Sequence, residues 1–242
     1  MEANRMNALM RYGILDTPPE AAFDRITALA SNLLQITVAM ITFTDANRVW
    51  IKSSHGINMV EMELDEGLFP TAIPAASEYV IEDTREDSRT RSHPLVMGEF
   101  GLRFHAAVPL VTPDGHQLGT LCVMNDKPRQ MTHAETDILK NLAAMVMEVM
   151  ELRSAAEALK IKNAYLTQLA SDTQHSIFTA VHDLRTPLST VTMLSCLLSE
   201  QQFGPLNTNQ AKMITSICGA AKEMGDQLND YAKLAIGMGP PS

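Results

Sequence analysis

The sequence predicts an α+β domain, an antiparallel sheet flanked by helices, followed by a long coiled-coil helix and an antiparallel helical hairpin that forms a four-helix bundle when two copies pair. Three observations predict it. Up to about residue 125 the apolar residues switch between the two-residue period of strands and the period of helices. From Thr132 a 4-3 apolar repeat runs on with neither Pro nor Gly before Pro187. Further on, two apolar stripes are separated by Gln201–Asn207, a breaker that contains Gly204-Pro205.

Taken in chain order, Thr17-Pro18-Pro19 reads as a helix start. Phe23, Ile26, Leu29, Ala30, Leu33 and Leu34 then make one apolar helical face. Val38–Phe43 and Val49–Ser53 read as a strand pair turned at Asp45-Ala46-Asn47. A mixed segment follows, punctuated by Gly67, Pro70 and Pro74, and Tyr79–Glu82 reads as a short strand. Phe104–Val111 and Leu118–Val123 are strands joined by Thr112-Pro113-Asp114-Gly115, whose Pro-Asp-Gly core presets a turn. Strands interleaved with helices in this way imply an antiparallel α+β sheet.

Thr132 with Glu135 three residues on is a capping box that opens the long helix. Its 4-3 positions are Ile138, Leu142, Met145, Val149, Leu152, Ala156, Leu159, Asn163, Leu166, Ala170, Thr173, Ile177 and Ala180. All but Asn163 and Thr173 are apolar, which is the pattern of a parallel coiled coil. Asn163 reads equally as a register-fixing seam residue or as a solvated linker position. Past a bend at Pro187 the helix resumes through Leu194, Leu197 and Leu198. Asn207 or Thr208 caps a last helix with Ile214, Ile217, Cys218, Ala221, Met224, Leu228 and Tyr231 on its stripe. A lone hairpin cannot bury both stripes, and a second copy delivered by the coiled coil can. The expected division is a sensor domain over residues 1–153, a coiled-coil linker over 154–173 and the hairpin over 174–242.

Composition narrows the function classes. The 242 residues are 45% apolar and 19% charged, enough for a packed core and unlike a disordered chain. The net charge of −9, with no block of Lys or Arg, argues against a nucleic-acid partner. Sixteen Met and few aromatics suit adaptable helix packing, and Met145, Met147 and Met150 read as coiled-coil packing. Cys122, Cys196 and Cys218 are far apart without metal-ligand spacing, so they read as small core residues in a reducing compartment. Met1 to Asp16 has no signal-peptide core, and the best apolar run, Leu142–Met147, is cut by Glu148. A cytoplasmic protein with no membrane partner is expected.

The chemistry concentrates in His182-Asp183-Leu184-Arg185-Thr186-Pro187-Leu188. His182 offers a nitrogen nucleophile that can be neutral at physiological pH. Asp183, beside it, is placed to hold the other N–H and assist proton removal. Thr186 lies one turn on, on the same face. Arg185 can screen phosphoryl charge or pair with a partner. Pro187 removes a backbone donor and bends the helix.

The seven residues resemble the phospho-acceptor box of the HisKA histidine kinases: His, Glu or Asp, Leu, Arg, Thr or Asn, Pro, Leu. Val181 stands where that family commonly has Ser, and Ile177 and Phe178 are spaced unlike its commonest version. The resemblance implies His182 as phospho-acceptor and Thr186 as orienter of the water that dephosphorylates a partner's aspartyl phosphate.

The first half resembles bacterial GAF sensor domains over about residues 9–153. The likeness rests on Tyr12-Gly13-Ile14-Leu15-Asp16-Thr17-Pro18-Pro19-Glu20, Phe23-Asp24, Trp50-Ile51-Lys52-Ser53-Ser54, Arg103-Phe104-His105-Ala106, Pro109-Leu110 and Gly119-Thr120-Leu121-Cys122-Val123. GAF domains sense small molecules or chromophores, and which ligand applies here is not encoded in these residues. Pro70 stands where a Cys often follows Phe69, which argues against a thiol-attached tetrapyrrole. His55, His105 and His116 read as surface or satisfied core residues rather than haem or metal ligands.

The resemblance also implies ATP and Mg²⁺ on a catalytic domain whose Asn-bearing helix and Asp-x-Gly-x-Gly loop are not in this sequence. This chain alone is therefore expected not to autophosphorylate. Expected partners are a second copy, an ATP-binding kinase domain in cis or in trans, a response-regulator receiver domain and a small GAF ligand. The alternative is a non-catalytic dimeric scaffold that binds a ligand and recruits, or is phosphorylated by, another kinase.

Overall fold

The computed structural model describes residues 2–64, 68–69 and 78–237; the breakers Gly67, Pro70 and Pro74 lie outside them. Contacts divide the chain into two compact units, Met1–Glu157 and Ala158–Ser242.

The first unit contains α1 (Glu2–Tyr12), α2 (Ala21–Leu34), β1 (Val38–Thr44), β2 (Arg48–His55), β3 (Glu61–Glu63), β4 (Tyr79–Ile81), α3 (Pro94–Met97), β5 (Phe104–Val111) and β6 (Gln117–Asn125), then the opening turns of α4 (His133–Ser199). The strands form one six-stranded antiparallel sheet in the order β3-β2-β1-β6-β5-β4. Side chains alternate across it, as the pleat requires. Ala39, Ile41, Phe43, Leu121 and Val123 pack with α1, α2 and α4 residues such as Leu9, Phe23, Ile26, Leu139 and Val146. Their strand neighbours Val38, Met40, Cys122 and Met124 face the other way, against Leu68, Phe69, Val96 and Leu102.

Three elements have no clear signature in the sequence. α1 buries Arg5, Ala8, Leu9 and Tyr12. Their spacing is helical, but one is an arginine, so the apolar stripe is weak. Arg5 is tolerated because it donates to the Thr44 carbonyl at 2.5 Å and to Glu2. β3 and α3, of 3 and 4 residues, are too short to show a period.

α2 begins at Ala21, not at Pro18, and its N-cap residue Glu20 makes no side-chain cap bond. The reason is Lys52. Its ammonium is wholly buried and donates to Thr17 Oγ1 (2.8 Å), the Pro18 carbonyl (2.8 Å) and Glu20 Oε1 (2.7 Å). It also lies 5.2 Å from the Phe23 ring centroid. Satisfying this charge holds residues 17–20 extended. The same Glu20 carboxylate accepts from Arg153 on α4 at 3.2 Å, and Arg153 donates to the carbonyls of Tyr12 (2.8 Å) and Gly13 (3.2 Å).

The capping box that opens α4 is formed: Thr132 N–H donates to Glu135 Oε2 (2.9 Å) and Glu135 N–H to Thr132 Oγ1 (3.3 Å). On the 4-3 repeat Leu142 is buried and Ile138 and Val149 are half-buried. Leu152, Leu159 and Leu166 stand 71, 59 and 49% exposed in the single chain. The helices fit a coiled coil whose seam is bare without a partner. Among the described residues no helix is long and apolar enough to cross a membrane.

The second unit pairs the remainder of α4 with α5 (Thr208–Gly237). α5 opens on a reciprocal box: Gln210 N–H donates to Asn207 Oδ1 (2.9 Å), and Asn207 N–H to Gln210 Oε1 (3.0 Å). Arg185 meets Asn229, Leu188 faces Gly225 and Cys196 meets Cys218. Each step along α4 is thus matched by a step back along α5, which makes the pair an antiparallel hairpin. Val181, Ser195 and Ala221 are buried between them, while Leu184, Leu194, Ile217, Met224 and Tyr231 stay exposed.

Gly119 on β6 sits against Phe43 on β1. A Cβ there would lie 1.9 Å from the Thr42 carbonyl oxygen and 2.7 Å from Phe43 Cα, both backbone atoms that cannot swing aside. Gly119→Ala is expected to destabilise the first unit by about 3 kcal/mol, read by urea unfolding on the fluorescence of the single tryptophan, Trp50.

Candidate phospho-acceptor site

α4 carries His182 and its neighbours on a continuous helix that runs through Pro187 to Ser199. Helical spacing makes His182 and Thr186 neighbours on one face. The His182 side chain is 70% exposed and the Asp183 side chain 71%, with Nδ1 and Oδ1 3.4 Å apart. The imidazole is therefore presented to solvent. If Nδ1 carries the proton, it can donate to Asp183 Oδ1 and Nε2 keeps its lone pair.

Thr186 is exposed. Thr179, Thr190 and Thr192 return their hydroxyls to the carbonyl four residues back. Among the described residues the Thr186 hydroxyl has no such bond and faces outward with His182. Arg185 points across the hairpin and donates to Asn229 Oδ1 at 2.5 Å. Pro187 leaves the helix unbroken but supplies no N–H to the carbonyl four residues back, that of Asp183. Beside the site runs a groove between the helices, lined by Arg185, Leu188, Thr192, Ala221, Gly225 and Asn229. The structure thus brings His182, Asp183 and Thr186 to one exposed face and engages Arg185 with α5. Asn229, which holds Arg185, carried no signal in the sequence because it lies on the other helix.

The model of the GAF domain family matches residues 18–150, and that of the His Kinase A (phospho-acceptor) domain matches residues 178–235. This chain belongs to the GAF family, joined to a HisKA phospho-acceptor domain. That pairing of domains supports a sensor and dimerisation region of the two-component type. Among curated proteins, a cyclic di-GMP phosphodiesterase of Pseudomonas aeruginosa is 30% identical over 147 residues, 60% of this chain. The match spans only 25% of that protein's length. Among solved structures, a domain described as part of a two-component sensor histidine kinase protein from Sinorhizobium meliloti aligns with a TM-score of 0.50 at 16% identity, over 58% of this chain and 97% of that one. The GAF domain of an Acinetobacter phosphoenolpyruvate-protein phosphotransferase aligns with a TM-score of 0.48 at 20% identity, over 64 and 95%.

In the GAF half, His55 is exposed and His116 half-buried. His105 differs from the expectation of a satisfied core histidine. It is completely buried on β5, and neither ring nitrogen has a hydrogen-bond partner among the described residues. Phe69 and Tyr79 meet it edge-on at 5.8 and 6.1 Å. Pro70, which follows Phe69 in the sequence, lies outside the described residues. No group of three or more His, Cys, Asp or Glu among the described residues is arranged to hold a metal. Burial, with a smaller push from His93, depresses the His105 pKa from 6.5 to about 3.

The unfolded imidazole takes its proton near pH 6.5, whereas the folded one does so only near pH 3. Between these values the unfolded chain binds more protons. His105 therefore contributes stability in full above about pH 6.5, and loses it as pH falls towards 3. His105→Leu is expected to remove a stability slope of up to about 1.4 kcal/mol per pH unit in that window, measured by denaturant unfolding at a series of pH values.

Proposed function

We propose that this chain is the input and phospho-acceptor region of a two-component histidine kinase, in which His182 carries a phosphoryl group from ATP to the aspartate of a response-regulator receiver domain. The observation that carries the reading is the exposed His182 ring with Asp183 at its Nδ1, inside the complete seven-residue box. His182 Nε2 offers its lone pair to the γ-phosphorus as the bond to ADP breaks. Asp183 holds the Nδ1 proton and stabilises the charge that develops on the ring. The receiver aspartate then takes the phosphoryl group, and the imidazole is released. Arg185, held by Asn229, places a guanidinium beside the phosphoryl and partner-facing surface. Thr186, with an outward hydroxyl, orients the water that dephosphorylates the receiver. Pro187 weakens the helix at one point and provides the bend that a signal biases.

ATP and Mg²⁺ belong to a catalytic domain supplied in cis or in trans. The protein works in the cytoplasm as a homodimer: pairing two copies covers the bare 4-3 seam of α4 and the exposed stripes of the hairpin. Residues 1–153 act as the sensor, 154–173 as the coiled-coil linker and 174–242 as the acceptor hairpin. The input is a small molecule taken by the GAF half. The orphaned nitrogens of buried His105 support this, because they are polar groups in search of a partner.

The test combines the chain with a kinase ATP-binding domain, in the full kinase or in trans, and labelled ATP. His182→Gln should abolish acid-labile label, and unchanged labelling would sink the assignment. Asp183→Asn should slow labelling by about 10²-fold. Thr186→Ala should leave labelling intact and slow dephosphorylation of the receiver.

A further inference from the structure

Two of the three cysteines, far apart in sequence, meet in the hairpin. Cys196 Sγ on α4 and Cys218 Sγ on α5 lie 3.5 Å apart, both free and half-buried. A disulfide has its sulfurs at about 2.05 Å, so the pair needs to close by about 1.5 Å. Antiparallel pairing of the helices sets the two side chains at the same level, flanked by the buried Ser195 and Ala221. Cys122 is the contrast. It is sealed in the GAF core, and burial pushes its thiol pKa up to about 12, which keeps it inert.

We propose that Cys196 and Cys218 are a redox-modification site, at which a hydroperoxide joins them in an intramolecular disulfide that ties α4 to α5. One thiol gives up its proton, and the thiolate sulfur attacks a peroxide oxygen. The O–O bond breaks, giving a sulfenic acid and, for hydrogen peroxide, water. The second sulfur, as thiolate, attacks the sulfenyl sulfur; the S–O bond breaks, the S–S bond forms and a second water leaves. Two thiols are oxidised by two electrons and one peroxide is reduced.

The neighbouring Cys218 sulfur, and then burial, hold the proton on Cys196 and raise its pKa, against the pull of the Lys222 ammonium. Oxidation should therefore accelerate as pH rises. The site lies about four turns along α4 from His182. The cross-link fixes the two helices against each other on the hairpin that carries the phospho-acceptor. It is independent of whether His182 is phosphorylated, and its test uses no ATP.

The whole chain is treated with hydrogen peroxide under native conditions, alkylated and digested for mass spectrometry. The expected result is a peptide pair linked through Cys196 and Cys218, two hydrogens lighter, in a protein that still runs as a single chain on a denaturing non-reducing gel. Dithiothreitol should reverse it, and Cys122 should stay alkylatable after unfolding. Oxidation should raise the unfolding midpoint of the hairpin, a shift absent in Cys196→Ser and in Cys218→Ser. Full alkylation of both cysteines after peroxide, sulfinic acids without a link, or a link between two chains would overturn the site. A linked hairpin with an unchanged midpoint would overturn the tie between the helices.

Discussion

The buried ammonium of Lys52 is the constraint around which the first unit is arranged. A charge with no exposed surface must find its oxygens inside the protein, because an unpaired ion in the core is not sustained. Three oxygens come from Thr17, Pro18 and Glu20, which fixes the segment leading into α2. Glu20 in turn binds Arg153, and Arg153 binds the carbonyls at the end of α1. A strand of the sheet, the entry to one helix, the exit of another and the body of α4 therefore share one electrostatic knot. Through these bonds Lys52 on β2 and Arg153 on α4 share the Glu20 carboxylate.

The other constraint is what α4 leaves uncovered. Where the helix packs on the sheet, its apolar repeat is buried at Leu142 and half-buried at Val149. Further on, Leu152, Leu159 and Leu166 of the same repeat are exposed in the single chain, and Ile161, Tyr165 and Leu169 add to the exposed apolar surface. The hairpin repeats the pattern: each helix buries one narrow face and exposes a second. The proposed pairing of two copies would cover both at once; in the single chain the His182 and Asp183 side chains stand exposed.

Much of this was legible in the residues. β5 and the turn after it follow from alternation and from Thr112-Pro113-Asp114-Gly115, and β1 and β2 emerge within two residues of their ends, because strand period and turn chemistry are local. The Thr132–Glu135 box marks the start of α4 for the same reason. The His182 box is legible because it is contiguous, and the family resemblance it carries is what implies the roles of His182 and Thr186. α1 shows no clean apolar stripe because one of its buried positions is an arginine. α2 starts later than its proline signal predicts because that signal yields to a lysine more than thirty residues away.

The sequence by itself determined the kind and order of the elements apart from α1, β3 and α3, and the residue pattern of the His182 box, since these depend on residues within a few positions of one another. Only the tertiary structure decided that His105 is an unsatisfied core residue, that Glu20 is shared between Lys52 and Arg153, and that Cys196 and Cys218 touch. These are meetings between distant segments. Local periodicity carries no information about which side chains the packing of sheet and helices will bring together.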